Sequence, residues 1–481
     1  MRPSAHRLLA FSALVAAATV CGPAAAQPAA APPAEPPAPE EQPEADLFDV
    51  RLGAETTFQL FRRAPLPGPG GALVSTQLSA PIHQSVSLRV DDVDVPWQAD
   101  SVDVELSAWG AVNAGEPGDE RRIDGDVTTA WVRHRLGPVR FTLGRQIEVG
   151  GAARMCRFDG LAVGVESPFG LGAEAYGGFA VLPLWNAQPG YQLLGSAADS
   201  LLRTPDVLER PNRAGHWLVG GRVHYAYAER IEIGASFHEQ RANGELDRRN
   251  LGIDAHTEPV AWLGASGQVL LDVDSWQPSD ARGAVDLRPV EGLRVSAEYL
   301  HTVPALFLSR QSVLSVFSTD PFHEMGGSAS YQPLGWLELQ ASGYAELFAA
   351  DWSTGMRLQG SVRFAPFESE RLVLRAGYGR VTEPGNGYHS LRVSAGVRPV
   401  APLLLAAESY LYVYDSPVRH TYGAVPLDTK LSWLGAASGE WTFIEWGSAL
   451  LSGSFGATPY AKLDAQALAS LRLDFNLGVE R

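Results

Sequence analysis

The side chains of this 481-residue chain that could do chemistry fall into two sets, and only one of them is organised. Hydrolase parts come nearest in His389-Ser390 and in Asp351 near Ser353, but neither carries a motif and neither spacing predicts adjacency. The eleven histidines are scattered without metal-ligand spacing, and His134, His224 and His238 read as wall residues. No glycine-rich phosphate loop runs from a strand into a helix, because no helical pattern is there to host one. Catalysis, a resident metal and a cofactor are therefore not expected. The second set is charged and keeps to one parity. Arg357, Arg363, Arg375, Arg392 and Arg398 fall on three neighbouring segments. Arg294, Glu298, Glu338 and Glu346 precede them, and Lys462, Asp464, Arg472 and Asp474 follow. Charges repeated on one parity belong to a wet wall. They read either as an electrostatic ladder that guides anionic solutes or as a salt-bridge network that stiffens the wall.

The elements that carry these charges are strands. Near the C-terminus, Ala465, Ala467, Ala469, Leu471, Leu473, Phe475 and Leu477 fall on one face. Asp464, Gln466, Ser470, Arg472, Asp474 and Asn476 fall on the other. A period of two is a strand with one oily and one wet face. The pattern repeats from residue 47 to the end, giving about 22 strands, within a range of 16–22. Long junctions, near 62–76, 114–124, 184–214, 304–322 and 415–427, follow odd-numbered strands. Tight turns follow most even ones, and seven of them put an aliphatic residue or Phe after Pro, as in Leu136-Gly137-Pro138-Val139 and Arg398-Pro399-Val400. Proline lacks a ladder donor and marks turns and strand starts. Long loops on one rim and short turns on the other predict an all-β, transmembrane, antiparallel up-and-down barrel. A soluble sandwich or propeller would not sort its junctions by parity. Aromatic residues near strand ends, namely Trp131, Trp262, Trp276, Trp336, Trp352, Trp441 and Trp446 with Tyr299, Tyr331 and Tyr378, suit the girdles at the two interfaces.

Residues 1–26 read as a secretory leader: Arg2 and Arg7, the apolar run Leu8 to Val20, then Ala24-Ala25-Ala26 before Gln27. The apolar run is too short to serve as a spanning anchor, which needs about 20 residues. Val20 stands where a lipoprotein signal has Gly or Ala, so Cys21 is not read as a lipid attachment site. Residues 27–46, rich in Pro, Ala and Glu, read as a disordered linker too short for a plug domain. Residues 47–481 are left for the barrel. Without the two leader arginines the net charge moves from −16 to about −18, a poor match to nucleic acid. Only Cys156 then remains, which excludes an internal disulfide and a thiolate cluster.

Between Arg140 and Leu161 the chain reads Arg140-Phe141-Thr142-Leu143-Gly144-Arg145-Gln146, then Gly150-Gly151, then Arg157-Phe158-Asp159-Gly160-Leu161. This stretch resembles outer-membrane porins, the alginate-export group above all. The resemblance implies that Arg145, Gln146 and Asp159 sit near the top of adjacent strands, where the Arg and Asp pair and shape the pore. There are departures. About 22 strands exceeds the 16 to 18 of porins, and the chain ends Val479-Glu480-Arg481 where such proteins carry an aromatic assembly signal. Strict alternation also places Arg145 with Phe141 and Leu143 on the lipid side, so a bulge or a rim position is expected there.

The reading is a plugless outer-membrane channel for passive diffusion or export of small hydrophilic solutes, anions among them, narrowed by the 184–214 and 304–322 loops. Its expected partners are outer-membrane lipid and lipopolysaccharide, the barrel-assembly machinery, and either a homotrimer or a periplasmic or extracellular protein. The alternative is a barrel sheath around a partner such as a multihaem cytochrome.

Overall fold

The computed structural model describes residues 48–65, 78–114 except 95–100, 123–181, 215–306 except 229, 321–383 except 368–370, 385–417, 430–458 and 461–479. The expected leader and linker, the 184–214 loop and most of the 304–322 loop lie outside the described residues. The described residues form twenty-two strands, the second interrupted at Ala80. They are β1 (Phe48–Pro65), β2 (Leu78–Ser79 and Pro81–Asp94), β3 (Ser101–Asn113), β4 (Ile123–Leu136), β5 (Val139–Gly150), β6 (Arg154–Glu166), β7 (Leu171–Ala180) and β8 (His216–Tyr227). Next come β9 (Ile231–Ala242), β10 (Glu245–Val260), β11 (Leu263–Asp272), β12 (Gln277–Val290), β13 (Leu293–Thr302), β14 (Phe322–Leu334) and β15 (Leu337–Phe348). The remainder are β16 (Thr354–Phe364), β17 (Leu372–Thr382), β18 (Tyr388–Val400), β19 (Leu403–Tyr414), β20 (Leu431–Ile444), β21 (Gly447–Thr458) and β22 (Ala461–Val479). Each strand pairs antiparallel with its sequence neighbours, and β1 closes on β22 from Phe48 opposite Val479 to Pro65 opposite Ala461. Closure removes the free edges that hydrocarbon cannot satisfy.

Junctions sort by parity as expected. Those after even strands include the two-residue turns 137–138, 261–262, 291–292, 335–336, 401–402 and 445–446. The segments between β7 and β8, β13 and β14, and β19 and β20 are the long ones. All have odd parity, so they share one rim. Alternation then writes the barrel's two surfaces. Leu143, Val165, Ile253, Leu451 and Leu471 are exposed on the outer wall, whereas Asp103, Ser296, Ser432 and Asp464 are buried on the inner one. Lipid replaces a protein core on the outside, so the large apolar residues stay uncovered by protein. In mid-wall the outward face carries few polar groups, and Thr56 with Gln84 satisfy each other across β1 and β2.

Two aromatic girdles are visible. Trp262, Tyr331, Trp336, Trp441 and Trp446 are exposed near the short turns. Trp217, Trp276, Tyr299, Trp352 and Trp433 are exposed nearer the other rim. Trp131 does not join them. It is 8% exposed on the inner face, beneath the Arg133 guanidinium at 4.5 Å. Its register partners, Glu105 and Gly144, share that face, and the cation–π contact explains why a Trp is tolerated in a wet lumen.

Candidate functional site: the lumen and its inward hairpin

Among the described residues, the wall is incomplete at one seam. β3 and β4 pair up to Val112 opposite Ile123. β4 and β5 stop pairing at Ala130 opposite Arg145, whereas β5 and β6 stay paired to the tip, at Gly150 opposite Arg154. β7 follows β6 only as far as Phe158, with Val181 N donating to Arg157 O at 2.8 Å. Residues 146–157 therefore form a two-stranded hairpin that leaves the barrel wall.

A row of glycines allows the departure. Gly144, Gly160 and Gly178 are register partners across β5, β6 and β7. Gly144 has φ of 126°, a region that side chains rarely adopt. A Cβ on Gly160 would overlap the Gly177 carbonyl oxygen and lie 2.7 Å from Gly178 Cα. Only glycine permits strands to approach and bend this closely.

The hairpin bends inward and lands on the inner wall. Its tip is a short 3-10 turn, Gly151–Ala153. Ala152 N donates to Ser236 Oγ at 2.8 Å on β9, and Asn250 Nδ2 on β10 donates to Ala152 O at 3.3 Å. Gln268 on β11 reaches Gly151 O at 3.4 Å, and Arg154 Nη2 donates to Ser279 Oγ on β12 at 2.8 Å. On the way the hairpin covers β7 and β8. Phe158 is fully buried with Ala153, Ala162, Tyr176, Ala180 and Leu218, and Cys156 packs beside them. The Tyr176 hydroxyl lies 3.0 Å from Nδ1 of the buried His238. This small core sits inside the barrel, and it explains why His238, Gln240, Asp247 and Asp280 are buried on a wall otherwise open to water. The opposite face of the hairpin stays uncovered, with Val149 69% and Met155 71% exposed beside Ile147.

Arg145 is the clasp at the base of the hairpin. It forks onto Asp159, Nε to Oδ1 at 2.7 Å and Nη2 to Oδ2 at 2.9 Å. Its Nη1 donates to Asp126 Oδ1 at 3.0 Å and to Val127 O at 2.8 Å. Arg157 adds a second bond to Asp126 at 3.1 Å. Gln146 is buried and reaches the carbonyls of Thr142 and Gly160. The lipid-side parity of Arg145 is thus resolved neither by a rim position nor by a bulge in β5. The strand keeps its alternation and leaves the wall, so its outward face turns toward β4. With its side chain 11% exposed, Arg145 holds geometry and offers little surface to a solute. Arg145→Ala would leave Asp126 and Asp159 short of their main donor, costing about 2 kcal/mol or more. The expected result is a lower denaturant midpoint for refolded protein in vesicles; an unchanged midpoint would show that the clasp carries no stability.

The other sequence-nominated residues lie on the inner face. Arg294 pairs with Asp286 at 3.0 Å. Glu298 accepts from Ser296 at 2.9 Å and Tyr344 at 3.2 Å, and Glu338 accepts from Gln340 at 2.7 Å. Arg357 pairs with Glu324 at 2.9 Å over the Tyr344 ring. Glu346 stands opposite Glu324 in the β14–β15 register. Arg392 pairs with Glu408 at 3.0 Å over the Tyr410 ring, and Arg472 with Asp474 at 2.5 Å. Arg363 lies opposite both Glu338 and Arg375. Among the described residues, Arg375 and Arg398 have no carboxylate partner. Most of the nominated arginines are paired, whereas among the described residues Arg375 on β17 and Arg398 on β18, and on the acidic side Glu298 and Glu346, have no ion-pair partner.

Arg375, Arg392 and Arg398 border a recess of about 610 Å³ on the inner wall of β17 to β22 and β1. Its floor includes Ser394, Ala436, Ser438, Ser452 and Ser454. Small side chains keep the lumen wide here, about ten strands round from the wall that the hairpin covers. The possible hydrolase pairs dissolve. His389 contacts Tyr378 at 2.6 Å on the outer face while Ser390 has the opposite parity, and Asp351 merely accepts from Ser353 within its own turn.

A closed antiparallel barrel with an apolar wall and a charged lumen defines an outer-membrane, porin-like barrel. No family model matches the chain, and no curated relative matches it. Its fold is similar to that of OpdK, an outer-membrane protein of Pseudomonas aeruginosa, at 9% identity over 89% of this chain and 99% of that one, with a TM-score of 0.40. It is also similar to OccAB1 of Acinetobacter baumannii, at 11% identity over 91% and 98%, TM-score 0.42. The P pilus usher translocation pore is a third such structure, at 9% identity over 88% and 99%, TM-score 0.44.

Proposed function

We propose that this protein is a passive diffusion channel for small hydrophilic solutes that favours anions. The observation that carries the reading is the placement of the two lumen features on opposite walls. Among the described residues, the hairpin fills one side and the recess with Arg375, Arg392 and Arg398 leaves the other side open. Solutes then pass along the basic side. Arg375 and Arg398, which have no carboxylate partner among the described residues, raise the local concentration of anions along that side of a confined low-dielectric channel. A sheath around a protein partner would be better served by a lumen that its own hairpin did not occupy.

The test is ion selectivity in a planar bilayer. Arg375→Glu combined with Arg392→Glu should lower the anion-over-cation permeability ratio by about threefold or more, the size expected when a local potential of order one kT changes sign. An unchanged reversal potential would refute the anion preference. Absence of steady conductance from the pure parent protein would refute the channel.

A further inference from the structure

The recess on the inner wall is a groove that follows the hydrogen-bonding direction of the sheet. Its lining runs from Gln59 and Phe61 on β1 to Arg398 on β18, five strand spacings away. Strand tilt carries that direction obliquely across the wall. Arg398 stands two residues from the end of β18 at Val400, and Gln59 eleven residues beyond the start of β1 at Phe48. Both strand ends lie on the rim of short turns. Strands rising ~3.3 Å per residue at a tilt of about 40° gain ~2.5 Å of height per residue, so the groove climbs from ~5 Å to ~28 Å above that rim. Its charged lining residues, among those described, are Arg375, Arg392, Arg398 and Glu408, an excess of two positive charges. Ser394, Ser438, Ser452 and Ser454 place hydroxyl donors along it.

The chain itself supplies a segment of opposite charge at the same rim. Residues 27–46, which lie outside the described residues, lead into β1 there. They carry Glu35, Glu40, Glu41, Glu44 and Asp46, seven prolines, and neither Lys nor Arg. Proline-rich chain spans up to ~3.1 Å per residue and leaves its carbonyls without internal partners. The path from the foot of β1 to Arg398 is five spacings of ~6 Å along the tilted rim, or ~30 Å. Glu40 and Glu41, seven and eight residues before Phe48, cover ~25 Å of it by backbone, and the two side chains that meet make up the rest. Ser394, opposite Arg375, lies four residues deeper than Arg398, a further ~10 Å. Glu35 is five residues further along the segment than Glu40.

We propose that residues 27–46 bind back into the lumen along this groove, with Glu40 and Glu41 on Arg398 and Glu35 on Arg375, and compete there with the anions that the channel admits. The prolines ask for no backbone acceptors from the wall, and their free carbonyls meet the serine hydroxyls. Tethering raises the local concentration of the segment to the millimolar range, which lets solvent-exposed ion pairs that are individually weak hold it. The competition presupposes the anion channel proposed above; the docking does not.

The experiment uses protein purified from outer membranes of cells that express the whole chain with Cys21→Ser and Cys156→Ser. Ala34→Cys is combined with Ser394→Cys, and in a second protein with Ser107→Cys. Ser107 faces the lumen on β3, two strand spacings from β1 on its other side. It is nearer than Ser394 to the anchor of the segment, so a merely tethered chain favours 107. Oxidation with copper phenanthroline should give an intrachain disulfide at 394 in at least about fivefold higher yield than at 107. In about 1 M salt, where the screening length is ~3 Å, the difference should vanish. Equal yields, or a higher yield at 107, would overturn the docking. A disulfide-linked dimer at 394 would assign the segment to a second copy and overturn it as well. In planar bilayers, Glu35→Gln, Glu40→Gln and Glu41→Gln together should raise the anion-over-cation permeability ratio about twofold. An unchanged ratio with selective cross-linking at 394 would overturn the competition. Absence of steady conductance from both proteins, with selective cross-linking retained, would instead overturn the channel reading.

Discussion

A chain in which residues 148–156 are replaced by a two-residue Asn-Gly turn, which keeps Ile147 opposite Arg157, should carry about two to three times the single-channel current of the parent. A strand pair lying on the inner wall takes up about 10 Å of lumen depth, and the hairpin covers the wall from β7 to β12. The replacement leaves both barrel partners of the hairpin in place. β5 keeps its ladder with β4 to Arg145, and β6 keeps its ladder with β7. Gly144, Gly160 and the clasp to Asp126 also remain. The wall should therefore close as before while the obstruction is gone. Ion selectivity should weaken together with the rise in current, since a wider path averages over the paired charges of the lumen. A current within a few per cent of the parent would mean that the hairpin does not set the conducting cross-section.

The second large effect is expected at the hinge. Gly160→Leu should prevent assembly of the barrel, with a cost of about 3 kcal/mol or more. The space that a Cβ needs is taken by the backbone of Gly177 and Gly178, which cannot swing aside as a side chain would. Relief would require β6 and β7 to part where Phe158 and Tyr176 pack beneath the hairpin. Gly283→Ala is the matched control. Gly283 also lies inside a strand, but a Cβ there meets nothing within 4 Å. That substitution should be neutral or slightly stabilising, through a less flexible unfolded chain. The readout is the fraction of protein that shows heat-modifiable migration after refolding into detergent. Equal folding of the two variants would refute a steric hinge.

How much of this was legible in the residues can be judged from particular places. The face of Leu471, Leu473 and Phe475 reads directly as lipid-facing, because a period of two has one meaning once a strand has an oily side. The parity of long and short junctions likewise fixed the up-and-down topology and the count of strands. The inward positions of Arg357, Arg375 and Arg392 followed from the same alternation. Trp131 was misplaced because an aromatic near a strand end suits a girdle equally well by type; only its contact with Arg133 identifies the inner face. The loops near 184–214 and 304–322, which length nominates for inward folding, lie almost wholly outside the described residues. The described inward element is a hairpin with a three-residue turn, which length would never nominate. One signal did point there: Arg145, Arg157 and Asp159 occupy lipid-side positions where charge costs ~2–4 kcal/mol at the midplane.

The sequence by itself determined that this chain closes into an outer-membrane barrel, and which side of each strand meets water, because alternation is a local property read two residues at a time. The tertiary structure decided where the wall parts and what narrows the hole. Those outcomes depend on contacts between residues far apart in the chain, such as Ala152 with Ser236 and Arg145 with Asp126, and on the glycine row of three strands coming into register. No local pattern encodes such meetings. They exist only after the sheet has closed and brought β5 and β6 over the inner face of β9 to β12.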